Sequence, residues 1–332
     1  MRAVRLYGVE DLRVEDIAPP APPAADEVSL SLTAAGICGS DLHNFRTGAW
    51  ISRAPSVAGH EFTGVVTACG AGVAHVSPGD RVIVDSRYLC GECPACRDGL
   101  GQVCENLGFL GEIIDGGFAE AVTLPARNLL RAPGGVADRH LAMAEPLAVA
   151  LHALRRLSAP QGAVIAITGC GPIGGLAALL ARRAGHPVQV IDRNAARASL
   201  VSAATGAEIA TLEDLPVQRL HHAIETTGNA TVIGALIAVV AGASSIALVG
   251  IGAALPSVDA VTLVEREISL LGCHAFTDRD LADIRDMLPE LAGALDAFIA
   301  EEIGLDEVPD AYRRHIGAEV AGLKTIIRCQ EG

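Results

Sequence analysis

Cys90, Cys93, Cys96 and Cys104 stand in a C-x2-C-x2-C-x7-C spacing within a stretch rich in glycine and charge. Four thiolates so spaced can close a tetrahedral shell around one Zn²⁺, and an all-sulfur shell leaves no position for water, which describes a structural metal. The competing chemistry, a disulfide knot, requires an oxidising compartment. No apolar secretory segment precedes Tyr7, and Glu10, Asp11, Glu15 and Asp16 follow at once, so no signal peptide and a reducing, cytoplasmic location are expected. Zinc is therefore favoured over disulfides.

A second set of metal-binding residue types is spread over three segments. Cys38 lies in Ile37-Cys38-Gly39-Ser40-Asp41-Leu42-His43, His60 and Glu61 in Ala58-Gly59-His60-Glu61, and Glu145 opens Glu145-Pro146-Leu147. A lone histidine or cysteine is more often a core residue than a ligand. Here a thiolate, an imidazole and two carboxylates are available together, and an open Zn²⁺ site with three protein ligands keeps one position for water or an alcohol. A hydroxyl bound to such a metal loses its proton near neutral pH, and its carbon can then give up a hydride.

A hydride acceptor has its own signature. Gly169-Cys170-Gly171-Pro172-Ile173-Gly174 follows an apolar run and opens a helical one, the context that gives a G-x-G-x-x-G match its meaning. The first glycine permits the tight turn, the second lets a pyrophosphate approach the backbone, and the third lets helix and strand pack closely. Ile173 belongs to the helix N-terminus that would face the phosphates. Eighteen residues after Gly174 stands Asp192, where a carboxylate accepts from both ribose hydroxyls of NAD and repels the 2′-phosphate of NADP. Arg193 beside it is a possible partner for that phosphate. NAD is the favoured cofactor.

These residues need a scaffold, and 332 residues suffice for two domains. From 1 to about 145 the chain reads as short strands between Pro and Gly turns, such as Glu27 to Thr33, Gly64 to Ala68 and Arg81 to Asp85, which fits an irregular β-barrel. From Gln161 strand and helix alternate: Ala163 to Thr168, a helix from Ile173 to Ala184, then Val188 to Ile191, Glu208 to Ala210, His221 to Ile224, Ser245 to Val249 and Ile268 to Leu271. Apolar runs of this length suit parallel strands covered on both faces, and six of them make a doubly wound sheet, so the fold class is α/β. After about Asp283 helix and strand pieces follow, ending in Lys324 to Ile327, which is expected to rejoin the first domain.

Composition narrows the partners. The net charge of −14 argues against a nucleic-acid surface. The uncharged stretch from Thr226 to Val258 is long enough to cross a bilayer, yet Gly242-Ala243-Ser244-Ser245 and Gly250-x-Gly252 split it into a helix and a strand, so no membrane span is expected. Of nine cysteines, Cys69, Cys170, Cys273 and Cys329 are left without a metal role and are expected to be buried as small hydrophobes.

In this order and over most of the chain, the C-G-S-D-L-H, G-H-E, four-cysteine, Glu145-Pro146-Leu147 and G-x-G-P-x-G segments resemble those of the zinc-dependent medium-chain alcohol dehydrogenases. Glu61 and Glu145 resemble the branch containing sorbitol, L-idonate and threonine dehydrogenases. The resemblance implies a GroES-like β-barrel catalytic domain over 1–145 and 284–332, with the structural zinc lobe at about 86–108, and a Rossmann NAD-binding domain over 146–283. It implies Cys38, His60 and Glu61 as catalytic zinc ligands, and Glu145 close to the metal and able to replace water or Glu61. Consecutive strand residues point to opposite faces, so His60 and Glu61 reach one metal only if the chain turns there.

Ser40 and His43 fall where the family places polar residues for water contact and proton relay. Phe45, Trp50, Phe109 and Phe118 are candidates for the pocket lining. Lys324 is expected to be solvated, with the pyrophosphate as an alternative partner. Gly272-Cys273-His274-Ala275-Phe276-Thr277 replaces the Arg or Tyr segment of sorbitol-type enzymes, which makes sorbitol itself a weaker substrate. Arg53 and His274 are the candidate partners for a substrate carboxylate.

The expectation is thus two zinc ions per chain and an NAD-linked oxidation of a secondary alcohol (a polyol, sugar alcohol or aldonate) to a ketone in a homodimer or homotetramer. Threonine or a short diol is the alternative substrate, and a non-catalytic dinucleotide-binding sensor the alternative class.

Overall fold

Alternate residues of Glu27–Gly36 are buried, the pattern of a strand with one face on a core. In the computed structural model, which describes residues 1–213, 215, 220–252, 258–317, 320 and 322–330, this strand is the hub of a seven-stranded sheet. The path runs Leu129–Arg131, Arg81–Val84, Glu61–Cys69, Glu27–Gly36, Lys324–Arg328, Ile299–Gly304, with Ala121–Pro125 also paired to Glu27–Gly36. The C-terminal strand therefore lies directly beside the hub, antiparallel to it.

The irregular barrel expected of this part is not closed along this path. Among the described residues the path is open, because its end strands, Leu129–Arg131 and Ile299–Gly304, are not paired with each other. Two register shifts in the pairing of Glu27–Gly36 with Glu61–Cys69 locally disrupt the ladder and increase twist without closing the ring. A three-stranded sheet of Asp11–Asp16, Arg2–Gly8 and Ser56–Val57 and a ribbon of Arg87–Tyr88 with Gly108–Phe109 complete the β-structure of this part. Its core gathers Leu30, Leu32, Phe62, Phe118 and Tyr312. Fully burying each such large apolar side chain contributes about 1.5–3 kcal/mol.

The chain divides into two compact units, Met1–Glu145 with Thr277–Gly332, and Pro146–Phe276. The return to the first unit falls at Thr277 rather than at residue 284. Thr277 is the N-cap of the Asp278–Leu295 helix, its hydroxyl accepting from the Asp280 N–H, so a helix start lies at the junction.

The second unit holds a six-stranded parallel sheet in the order Glu208–Ile209, Val188–Ile191, Ile165–Thr168, Leu220–Glu225, Val240–Leu248, Ser269–Gly272. The winding reverses between Ile165–Thr168 and Leu220–Glu225, which makes the sheet doubly wound and places its crevice at their C-terminal ends. Val188–Ile191 has the bounds the sequence predicts. Val240–Leu248 starts earlier than Ser245, directly after the Ala230–Val239 helix. Gly242-Ala243-Ser244 lies inside that strand as an irregularity, with Ala243 at φ 58°, rather than ending it. The end of the uncharged stretch, 253–257, lies outside the described residues. No helix among the described residues is long and apolar enough to cross a membrane.

Candidate metal centre and dinucleotide loop

Cys38 caps the Gly39–Thr47 helix, and its backbone N–H donates to Asp41 Oδ2 at 2.9 Å. The other Asp41 oxygen lies 3.1 Å from His60 Nδ1. One carboxylate thus fixes the Cys38 backbone and the imidazole, and a proton held on Nδ1 leaves Nε2 free to bind a metal. Ser40 Oγ donates to Cys38 Sγ at 3.1 Å and lies 3.5 Å from His60 Nε2.

The chain does turn between His60 and Glu61. Gly59 has φ 91°, and a Cβ there would strike the Phe118 ring, so only glycine fits. His60 sits in the bend and Glu61 begins the strand. Consequently one ligand atom each from Cys38, His60 and Glu61 lies within 4.8 Å of the others.

The electrostatics of this set favour a cation. Burial disfavours charge on His60, but Asp41 and the Cys38 thiolate outweigh it and raise its pKa well above the ordinary value. The same field would hold a dication in place of that proton. Glu61 is 0% exposed, and neither of its oxygens accepts a well-directed hydrogen bond. Among the described residues its ion-pair partner is Lys324, whose ammonium contacts Oε2. Leaving buried carboxylate oxygens without donors is costly, and a metal ion would satisfy them. The residues present therefore fit a zinc ion.

Glu145 lies outside that tight set. Its Oε1 accepts from Ser86 Oγ at 2.9 Å, and burial pushes it up to about 7, with His60 opposing and Glu61 reinforcing the shift. His43 stands against Trp50, ring centroids 4.9 Å apart, and no hydrogen bond joins it to Ser40 among the described residues. Phe45 and Phe118 are buried in the core, while the Phe109 ring centroid lies 6.4 Å from that of His60.

Two expectations are corrected here. Lys324 is 1% exposed and not solvated; it also donates to the Ile37 carbonyl at 3.0 Å. Arg53 is paired with Asp115 at 2.5 Å, so its charge is already answered. Sequence reasoning also missed Glu112, a half-buried carboxyl pushed up to about 7 by burial, with His60 lowering and Asp41 raising it. It lies with Asp41, Asn44, His60 and Tyr312 around one small cavity, and no motif marks it.

In the cysteine lobe, the sulfurs of Cys90 and Cys104 are 3.5 Å apart, those of Cys90 and Cys96 3.9 Å, and those of Cys93 and Cys104 3.9 Å. A disulfide would bring two sulfurs to about 2.05 Å, whereas thiolates about 2.3 Å from a tetrahedral zinc stand about 3.8 Å apart. The lobe thus fits zinc as it stands. Backbone N–H groups of Glu92 and Cys93 lower Cys90 to about 6. Burial, reinforced by the neighbouring cysteines, pushes Cys96 up to about 12, a penalty a dication would relieve.

In the second unit Gly169 has φ 91°, and a Cβ there would press on Thr226. At Gly174 a Cβ would run into the Gly169 carbonyl, while the space beside Gly171 is open. Gly171 caps the Pro172–Arg183 helix, whose first turn carries no acidic residue, so its exposed N–H groups suit an anion. Asp192 accepts from the Cys170 N–H at 2.6 Å and the Asn194 N–H at 2.7 Å, which ties the carboxylate to the glycine loop; Arg193 is exposed. The loop fits a dinucleotide.

Comparison with known proteins finds relatives over most of the chain. The profile of the alcohol dehydrogenase GroES-like domain matches residues 24–134. The chain is 30% identical to 2-dehydro-3-deoxy-L-galactonate 5-dehydrogenase of Pseudoalteromonas atlantica, over 92% of this chain and 93% of the relative. It is 28% identical to L-galactonate-5-dehydrogenase of Escherichia coli, over 89% of each. A Sinorhizobium meliloti structure described as a zinc-binding dehydrogenase with NADP bound superposes with a TM-score of 0.91 at 29% identity, covering 98% of both chains.

Proposed function

Because the chain belongs to the zinc-type medium-chain alcohol dehydrogenases, we propose that it oxidises a secondary hydroxyl of an aldonate or polyol to a ketone, with NAD as the hydride acceptor. The alcohol carbon loses a hydride to the nicotinamide and its hydroxyl loses a proton, giving ketone, NADH and one proton. The observation that carries this reading is the convergence of Cys38, His60 and Glu61 in a chain that also has the glycine loop and Asp192.

Zinc bound at that set would supply the Lewis acidity that makes a substrate hydroxyl acidic. Cys38, His60 and Glu61 would hold it, with Glu145 in reserve, and Asp41 fixes the imidazole. Ser40 Oγ, beside Cys38 Sγ and His60 Nε2, would take the hydroxyl proton while passing its own outward. His43 is the candidate next acceptor. Cys90, Cys93, Cys96 and Cys104 would hold a second, structural zinc. Gly169, Gly171, Pro172, Ile173 and Gly174 would cradle the pyrophosphate, and Asp192 favours NAD over NADP. In this reading the first unit is catalytic and the second binds the coenzyme, in a cytoplasmic homodimer or homotetramer.

Glu61, Glu145 and Ser40 would recognise hydroxyls next to the reacting one, and a substrate lacking them leaves these groups unpaired. The pairing of Arg53 with Asp115 favours a second reading, a short diol, because that arginine is then not free for the carboxylate that aldonates and threonine both carry. NADH formation with L-galactonate, L-idonate, sorbitol, threonine, butane-2,3-diol and ethanol tests both. A kcat/KM ranking led by an aldonate or polyol supports the first reading, one led by butane-2,3-diol the second, and one led by threonine or ethanol rejects both.

A further inference from the structure

The last strand of the chain delivers a buried cation to the metal set. Lys324 opens Lys324–Arg328, is 1% exposed, and places its ammonium against Glu61 Oε2 and the Ile37 carbonyl. Gly36 makes the room: it pairs with Glu61 on one side of its strand and with Ile326 on the other. A Cβ on Gly36 would overlap Glu61 Oε2 and come within 2.9 Å of Lys324 Cε. Three adjacent strands thus leave a gap in which one ammonium meets the carboxylate that also faces Cys38 and His60. Burial opposes charge on Lys324, and Glu61, Cys38 and Glu145 more than offset it.

The geometry points to Lys324 as a positioning residue that competes with the metal for Glu61, so that Glu61 binds as a weak, displaceable ligand while Cys38 and His60 hold the ion. This rests on the zinc reading of that set. An ammonium against Oε2 offsets the carboxylate charge that would strengthen coordination. Removing the cation while keeping Glu61 returns a full carboxylate to the metal. A lysine serving only the strength of the sheet gives the opposite sign, because its loss strands a buried charge and loosens the site.

Release of zinc from the zinc-loaded protein to a chelator, followed with a colorimetric zinc indicator, separates these roles. The phase belonging to the Cys38 set is the one absent in Cys38→Ser. Lys324→Met should slow that phase on the order of tenfold, and Glu61→Gln should speed it. In the Glu61→Gln background Lys324→Met should change it little, because the lysine acts through that carboxylate. Lys324→Gln, which keeps a donor for the Ile37 carbonyl, is the measured variant if Lys324→Met does not fold. Release that is unchanged or faster in the lysine variants, or equally slowed with and without Glu61, overturns the inference alone. A zinc content that Cys38→Ser does not reduce overturns the metal reading and the inference with it.

Discussion

Asp41 Oδ1 lies 3.1 Å from His60 Nδ1 while Asp41 Oδ2 accepts the Cys38 N–H at 2.9 Å. A first-turn residue of the Gly39–Thr47 helix therefore also orients an imidazole, and the metal set depends on it from two sides. Asp41→Asn keeps an acceptor for the Cys38 N–H but loses the charge facing Nδ1. Zinc affinity at this set, measured by competition with a chelating dye, should fall about 10- to 100-fold with the far-UV circular dichroism unchanged. Unaltered affinity would show that His60 is oriented by something else.

The two proposed zinc ions should differ in what they hold up. Cys93→Ser opens the cysteine lobe, where zinc binding would be coupled to folding, and should lower the melting temperature measured by calorimetry. Cys38→Ser should leave melting nearly unchanged. Equal losses in both variants would refute the division into structural and catalytic ions.

The parts of the molecule legible in sequence are those fixed by local physics. Gly169 at φ 91° and Gly174 against the Gly169 carbonyl admit only glycine, so the loop announces itself. Ile165–Thr168 reads as an apolar run because all four of its residues are buried, and the four cysteines announce themselves by spacing. Non-local pairs were hidden. Lys324 looks solvated because nothing near it in sequence reveals that Gly36 leaves space for its contact with Glu61. Arg53 with Asp115, and Glu112 beside His60, likewise depend on loops that meet only after folding. Gly242-Ala243-Ser244 reads as a break, yet the strand absorbs it as an irregularity, since pairing with Leu220–Glu225 resumes at Ser245.

Burial pushes Glu145 up to about 7 from an ordinary 4.5. A carboxyl raised in the folded state contributes stability that is fully present below the unfolded value and lost as pH rises to the folded one. Across that window the zinc-depleted protein should lose about 3 kcal/mol through this group. Urea unfolding of the zinc-depleted protein and of Glu145→Gln from pH 4.5 to 7 reads the difference. Parallel pH profiles would mean that Glu145 titrates normally.

Asp192 accepts two backbone N–H groups and is tied to the glycine loop, so Asp192→Ser, with Arg193 retained, should weaken NADH binding and narrow the preference over NADPH. Fluorescence titration with both reduced coenzymes measures this. Tighter binding of NADPH than NADH by the unsubstituted protein would mean that Arg193 decides the preference.

The central claim is that Cys38, His60 and Glu61 form the zinc centre of an NAD-linked alcohol dehydrogenase. Its most direct test is NADH formation from the best substrate of the aldonate and polyol panel, before and after the Cys38-set zinc is stripped by a chelator, and again after zinc is returned. Activity should vanish on stripping, return with zinc in the unsubstituted protein, and fail to return in Cys38→Ser. Turnover by the stripped protein, or by Cys38→Ser, would contradict the account.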